Sequence, residues 1–154
     1  MRQIDIYNGC PGRVVFNPAR LRAFVRALDA LLPRGLRAPQ GSLSIAILDD
    51  ESIAKVHGDF LNKPSPTDVI TFVGDGVDAG EICVGAQTAV RESSRFGFTP
   101  DRELCLYVAH GYLHLAGVDD VSAEDAAKMR AAEAEALGVL DKKFRRPIFA
   151  FYGE

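Results

Sequence analysis

The stretch HGYLHLAGVDD, residues His110 to Asp120, holds two of the chain's three histidines four residues apart and closes on paired aspartates. On a helix, residues i and i+4 share a face about 6 Å apart, so His110 and His114 can present two imidazoles to one ion. Gly117 falls where a helix ends in a left-handed cap, after which the chain can fold back. Asp119 and Asp120 are then the carboxylates available to the same ion. Two histidines and one carboxylate leave a position open for water, the arrangement of catalytic rather than structural zinc. Such a water is more acidic than bulk water; alternatively, the ion polarises a phosphoryl or carbonyl oxygen. An HxxxH pair alone is often coincidence on an amphipathic helix. The following glycine, the nearby carboxylates and the scarcity of other histidines favour a metal site here.

The outline H-x3-H-x2-G-x2-D also matches the extended zinc proteases, which place a third ligand at the same spacing. Those enzymes carry a glutamate directly after the first histidine as general base. This chain has Gly111 there, which cannot carry a proton, so peptide hydrolysis is disfavoured.

The surrounding elements read as follows. RQIDIY (2–7) alternates with strand period, and VVF (14–16) is expected to extend or bend that edge. Asn17 and Pro18 open a helix whose Leu21, Phe24, Val25, Leu28 and Leu32 form one apolar stripe, ended by Pro33 and Gly35. SLSIAIL (42–48) is a strand. Asp50 is expected to cap a second helix with Ile53, Val56 and Phe60 on one face. LNKPSPT is a loop on its prolines, and DVITFV (68–73) and GEICVG (80–85) form a hairpin across a glycine-rich turn. A helix over about 86–96 follows. Thr99 and Pro100 begin the helix that carries the histidines. Ser122 with Asp125 resembles a capping box for a last helix ending at Gly138. The order strand, helix, strand, helix, hairpin, helices predicts an α+β fold: a single small mixed sheet of about four strands packed with helices.

At 154 residues, 47% apolar and 25% charged, the chain is expected to form one domain over residues 1–154. No apolar run approaches the roughly 20 residues of a membrane span, and the first ten residues lack a signal-peptide layout, so a cytoplasmic location is expected. Cys10, Cys83 and Cys105 show no CxxC spacing and read as buried structural thiols. The net charge of −3 argues against a wholly basic, nucleic-acid-coating surface. The clusters Arg20, Arg22, Arg26 and Lys142, Lys143, Arg145, Arg146 read as solvated surface.

HGYLHLAGVDD closely resembles the HGxLHLxGxDH signature of the bacterial YbeY family, endoribonucleases also called rRNA maturation factors. PTDVITF (66–72) resembles that family's P-T-D-V-L-S-F block, GEICVG its G-D/E-I strand, and Glu103–Leu104 the E-L before its metal helix. The resemblance covers essentially the whole chain. It implies a single α+β domain, a bound divalent ion, most simply Zn2+, and hydrolysis of RNA during ribosome maturation. Metal ligands would be His110, His114 and Asp120, the last standing where the family usually has histidine. Carboxylate oxygen is a legitimate zinc ligand, although it weakens the ion's Lewis acidity and favours harder metals. Asp119 would support the turn or the ligands. Many members carry an arginine before the P-T block; counting back from Pro66, Leu61 occupies that place and Lys63 is the nearest cation. Lysine binds phosphate without arginine's bidentate fork.

No catalytic side chain beyond the ligands stands out, and Lys63, Thr67, Asp68 and His57 are the cleft candidates. For His57 a buried, hydrogen-bonded role is favoured over a place in the cleft. Thr67 and Asp68 serve equally well as turn contacts, and Glu103 as a plain helix-face carboxylate. The resulting expectation is a metal-dependent single-strand endoribonuclease of ribosomal RNA maturation, including the 16S 3′ end, and of ribosome quality control. Its partners would be ribosomal RNA and ribosomal or ribosome-associated proteins, with no membrane. The rivals are a non-catalytic ribosome-assembly factor with a structural metal and a metallohydrolase of another substrate class.

Overall fold

The computed structural model describes residues 2–153. Its core element is a four-stranded mixed sheet in the order β1 (Ile4–Asn8), β3 (Ser42–Leu48), β5 (Asp78–Gly85), β4 (Val69–Val73). The pairs β1–β3 and β3–β5 are parallel, and the β4–β5 hairpin is antiparallel. The two inner strands are apolar along the face toward the main core, whereas the other face is polar at Ser44 and Glu81 and apolar toward Leu48 and Cys83. Leu43, Ile45, Ile47, Ile82 and Val84 point into the main core, while Leu48 and Cys83 meet Ile53 and Ile70 on the other side.

One face is covered by α1 (Pro18–Leu31), α3 (Ala86–Phe96), α4 (Pro100–Leu115) and α5 (Ala123–Lys143), and the other by α2 (Asp50–Leu61). The α+β architecture and the four-stranded sheet agree with the sequence pattern. The bounds of β3 and α3 do so to the residue. The starts of α1, α4 and α5 are set by local chemistry: the Asn17, Thr99 and Ser122 side chains each accept a backbone N–H at the start of their helices.

Four expectations are corrected. VVF does not extend the first strand; it is a separate strand β2 (Val14–Phe16) paired antiparallel with β6 (Phe149–Phe151). The carboxylate capping α2 belongs to Asp49, which accepts from the Ser52 N–H at 2.8 Å, and Asp50 is the first helical residue. The last helix runs through Gly138 to Lys143, because Val139 and Leu140 still face the core. The early arginines are not simply solvated: Arg20 donates to the Arg146 and Pro147 carbonyls and Arg22 to the Ile4 carbonyl.

Helix α4 lies at the centre. Ten of its sixteen residues are buried, against β4, β5, α3 and α5. Its N-terminus is tied to β6, since Asp101 accepts from the Ile148 and Phe149 N–H groups at 2.9 and 2.7 Å. Its C-terminal half is tied to α1, where buried Tyr112 donates to Asp29 at 2.6 Å. Asp29 also receives two bonds from Arg2, whose side chain is 3% exposed. All three cysteines are buried and free, and burial pushes the thiols of Cys10 and Cys83 up to about 11, so they are inert as nucleophiles near neutral pH.

Replacing Asp29 with alanine removes the carboxylate shared by Arg2 and Tyr112 and leaves the Arg2 guanidinium only the Gly41 and Ala38 carbonyls. The expected loss is about 3 kcal/mol, read as the shift in urea midpoint at constant slope, with Asp29→Asn recovering part of it.

Candidate metal centre

The site grows out of the end of α4. His110 and His114 stand one turn apart, with ring centroids separated by 4.6 Å and planes inclined at 78°. Tyr112, Leu113 and Leu115 are buried around them, so the outward turn of the imidazoles is fixed by the helix's packing. The helix then closes in a Schellman motif. The Val118 N–H bonds the Leu113 carbonyl and the Gly117 N–H bonds the His114 carbonyl, each at 3.0 Å. Gly117 sits at φ +95°, a conformation that a residue with a Cβ adopts only at a cost. Half-buried Val118 packs on the core, and the chain returns toward the histidines.

That return brings Asp120 into place. Its Oδ2 lies 3.6 Å from Nε2 of His110 and 3.6 Å from Nε2 of His114. The three donor atoms all fall within 4.8 Å of one another. These gaps are too long for hydrogen bonds. They suit a tetrahedral ion, whose ligand atoms at roughly 2.0–2.2 Å stand about 3.3–3.6 Å apart. Two imidazole nitrogens and a carboxylate oxygen form a donor set that can hold a metal ion, and both rings and the carboxylate remain partly exposed on one side. Asp119 faces elsewhere: its Oδ1 accepts from the Asp120 N–H at 2.8 Å, which stiffens the turn.

The other candidates separate clearly. His57 is hydrogen-bonded as expected, through Nδ1 to the Ser65 carbonyl at 2.9 Å, but it is only half-buried. It pins the 62–67 loop, together with Pro64 packed on Gly58. Thr67 bonds Asp68 at 3.3 Å, and Asp68 accepts from the Val69 N–H at 2.7 Å, both turn contacts. Asp68 is exposed, and its charge contributes to raising the pKa values of His110, Glu103 and Tyr107. Lys63 is exposed and forms no ion pair among the described residues, and Leu61 is exposed at the end of α2.

Pattern reading missed Glu133, on α5. Its Oε2 lies 2.6 Å from Nδ1 of His110, the nitrogen turned away from Asp120. No spacing signal links residues 23 positions apart on different helices. Burial by itself works against a charged His110, yet the Glu133 bond and the charges of Glu133, Asp68 and Asp120 outweigh it and raise its pKa. Glu103 is 7% exposed and shares the helix face of His110; desolvation raises its pKa, so it is more than a plain surface carboxylate.

The absent general base of the protease outline also has a structural reason. A Cβ on Gly111 would lie 2.5 Å from Ile82 Cγ2 and 3.2 Å from Val69 Cγ1, so this position is where α4 seats on the sheet.

Fold and site thus define an α+β protein with a two-histidine, one-carboxylate group able to hold a metal ion. The comparisons with known proteins give the family. A family model described as "Endoribonuclease YbeY" matches residues 16–141, which span the donor trio and Glu133. The Endoribonuclease YbeY of Rhodopirellula baltica is 34% identical over 142 residues, covering 89% of this chain and 70% of that protein. The protein of the same name from Syntrophotalea carbinolica is 34% identical over 116 residues, covering 69% and 77%. The solution structure of TM1509 from Thermotoga maritima has the same fold, with a TM-score of 0.61 at 24% identity over 94% of each chain. The chain belongs to the endoribonuclease YbeY family.

Gly111→Glu is expected to cost more than about 3 kcal/mol, because it forces a charged side chain against Ile82 and Val69. Chemical denaturation measures this; a stable, well-folded variant would contradict the seating described here.

Proposed function

We propose that this chain is a metal-dependent single-strand endoribonuclease acting as one domain, with His110, His114 and Asp120 as ligands of a zinc ion. The observation that carries the reading is the convergence of those three donors at ion-compatible distances in a chain of this family. Three protein donors with one open side suit a catalytic ion better than a structural one, which is closed by four. A divalent ion held there supplies Lewis acidity toward a phosphodiester and lowers the pKa of a coordinated water.

The chain's own residues set the terms of that chemistry. Asp120, where relatives with the HGxLHLxGxDH signature have histidine, adds negative charge and tempers the ion's acidity. Asp68 is the cleft carboxylate that can accept a hydrogen bond or a proton. Lys63, as a point charge on the loop, is the cation assigned to the RNA backbone in place of an arginine. His57 and Thr67 shape that loop. The setting proposed for the activity is the cytoplasm, in maturation of ribosomal RNA including the 16S 3′ end and in ribosome quality control, with ribosomal or ribosome-associated proteins as partners. Among the described residues no helix is long and apolar enough to cross a membrane.

A second reading is favoured by one observation: Asp68, Asp120 and Glu133 pair with no Lys or Arg among the described residues, and Leu61 replaces a cation. It is a ribosome-assembly factor whose metal is structural. The purified protein is expected to carry about one zinc per chain, and His114→Ala to lose both the metal and cleavage of single-stranded RNA. Full cleavage by that variant sinks the first reading. Metal binding with no cleavage at any metal concentration establishes the second.

A further inference from the structure

We infer that Glu133 is a positioning residue for the metal centre: from α5 it holds the His110 imidazole with the proton on Nδ1 and the free Nε2 facing His114 and Asp120. The inference rests on the metal reading above and extends it to a helix that contributes no ligand.

The two nitrogens of His110 face carboxylates at different distances. On the Nδ1 side the gap to Glu133 Oε2 is 2.6 Å, a direct charge-assisted hydrogen bond. On the Nε2 side the gap to Asp120 Oδ2 is 3.6 Å, which leaves room for an ion. A neutral imidazole has one proton, and the nitrogen with the good acceptor keeps it. With Glu133 against Nδ1, that proton stays there, and the lone pair is left on the nitrogen that faces the other two donors. A ring flipped about its Cβ–Cγ bond would give up this hydrogen bond. Glu133 thus selects both the tautomer and the ring orientation.

The acceptor is itself held in place. Glu133 is flanked on α5 by Met129, Ala132 and Ala136, all buried in the core, and its side chain is 18% exposed. Carboxylates behind metal-bound imidazoles raise ligand basicity as well as fixing the ring, and their loss typically weakens metal affinity by about 10–100-fold. An ion pair that merely stabilised the fold would instead need a doubly protonated imidazolium, with no lone pair left for a metal.

Zinc titration of the full chain against a competing chromophoric chelator, combined with 15N-resolved NMR of the His110 ring, tests this. Glu133→Ala is expected to weaken zinc binding by about 10–100-fold and to erase the Nδ1–H signature. Glu133→Gln, whose amide oxygen still accepts, is expected to stay within a few-fold of the parent protein and to keep that signature. Glu135→Ala, on the same helix, is the control. Parent-like zinc affinity in Glu133→Ala overturns the inference while leaving the metal site standing. So does a Gln variant that loses the signature, a result that decides the matter even if the alanine variant does not fold. A parent protein that binds no zinc fails earlier and differently, by removing the metal reading itself.

Discussion

The reversal at Ala116–Val118 is the constraint on which the site depends. Two histidines a turn apart supply two donors from one helix face, and an ion then needs a third from outside that helix. Only a chain that turns back at once can supply it from six residues further on. The Schellman bonds from Val118 and Gly117 make that turn, and the +95° φ of Gly117 makes it possible without the roughly 1–2 kcal/mol that an ordinary L-residue loses in left-handed backbone. Val118 then locks the exit direction by packing on the core, and the Asp119 side chain fixes the next peptide. Asp120 meets both Nε2 atoms as a consequence of backbone geometry, before any ion contributes.

The reversal would mean little if α4 could move. It is held on all sides: by Gly111 seated on Ile82 and Val69, by Asp101 bonded to the last strand, and by Tyr112 bonded to Asp29 and through it to Arg2. A donor trio tuned to a few tenths of an ångström needs such a support, since each ligand's position is no better than that of the element carrying it. The buried face of α4 and its imidazole face are therefore parts of one device. Tyr112 lies between the two histidines in sequence and on the opposite side of the helix in space.

Much of this was legible in the sequence, because the relevant signals are local. The HxxxH spacing, the glycine after it and the carboxylate beyond all act within eleven residues of backbone. The caps at Asn17, Thr99 and Ser122 and the alternation in SLSIAIL are local too. What escaped was set by contacts remote in sequence. The β2–β6 ribbon joins residues near 15 to residues near 150, and three-residue strands carry too little periodicity to be recognised alone. Gly138 looked like a helix end, yet α5 continues because Val139 and Leu140 find the core there. Asp49 and Asp50 are chemically equivalent caps, and only the backbone of the preceding strand decides between them. Glu133 reads as one more charge on an exposed helix until the fold lays α5 beside α4.

The electrostatics of the cleft add a consequence for the order of events. Asp120 and Glu133 stand against the imidazoles and, like Asp68, whose charge also acts on His110, have no Lys or Arg partner among the described residues, while Glu103 lies along the same helix face. A site lined by one sign of charge attracts cations and repels a polyanion. An RNA phosphate meeting this cleft without an ion would face unpaired carboxylates. The imidazoles could offset them only when protonated, a state that removes their capacity as ligands. A divalent ion reverses the local sign while using the same side chains. In this chain, where Lys63 rather than an arginine is the cation before the P-T block, an ion would have more of the phosphate's charge to balance than beside an arginine's bidentate fork. On the function proposed above, metal loading would come before RNA engagement, because carboxylates without a cationic partner draw in a cation sooner than a phosphate.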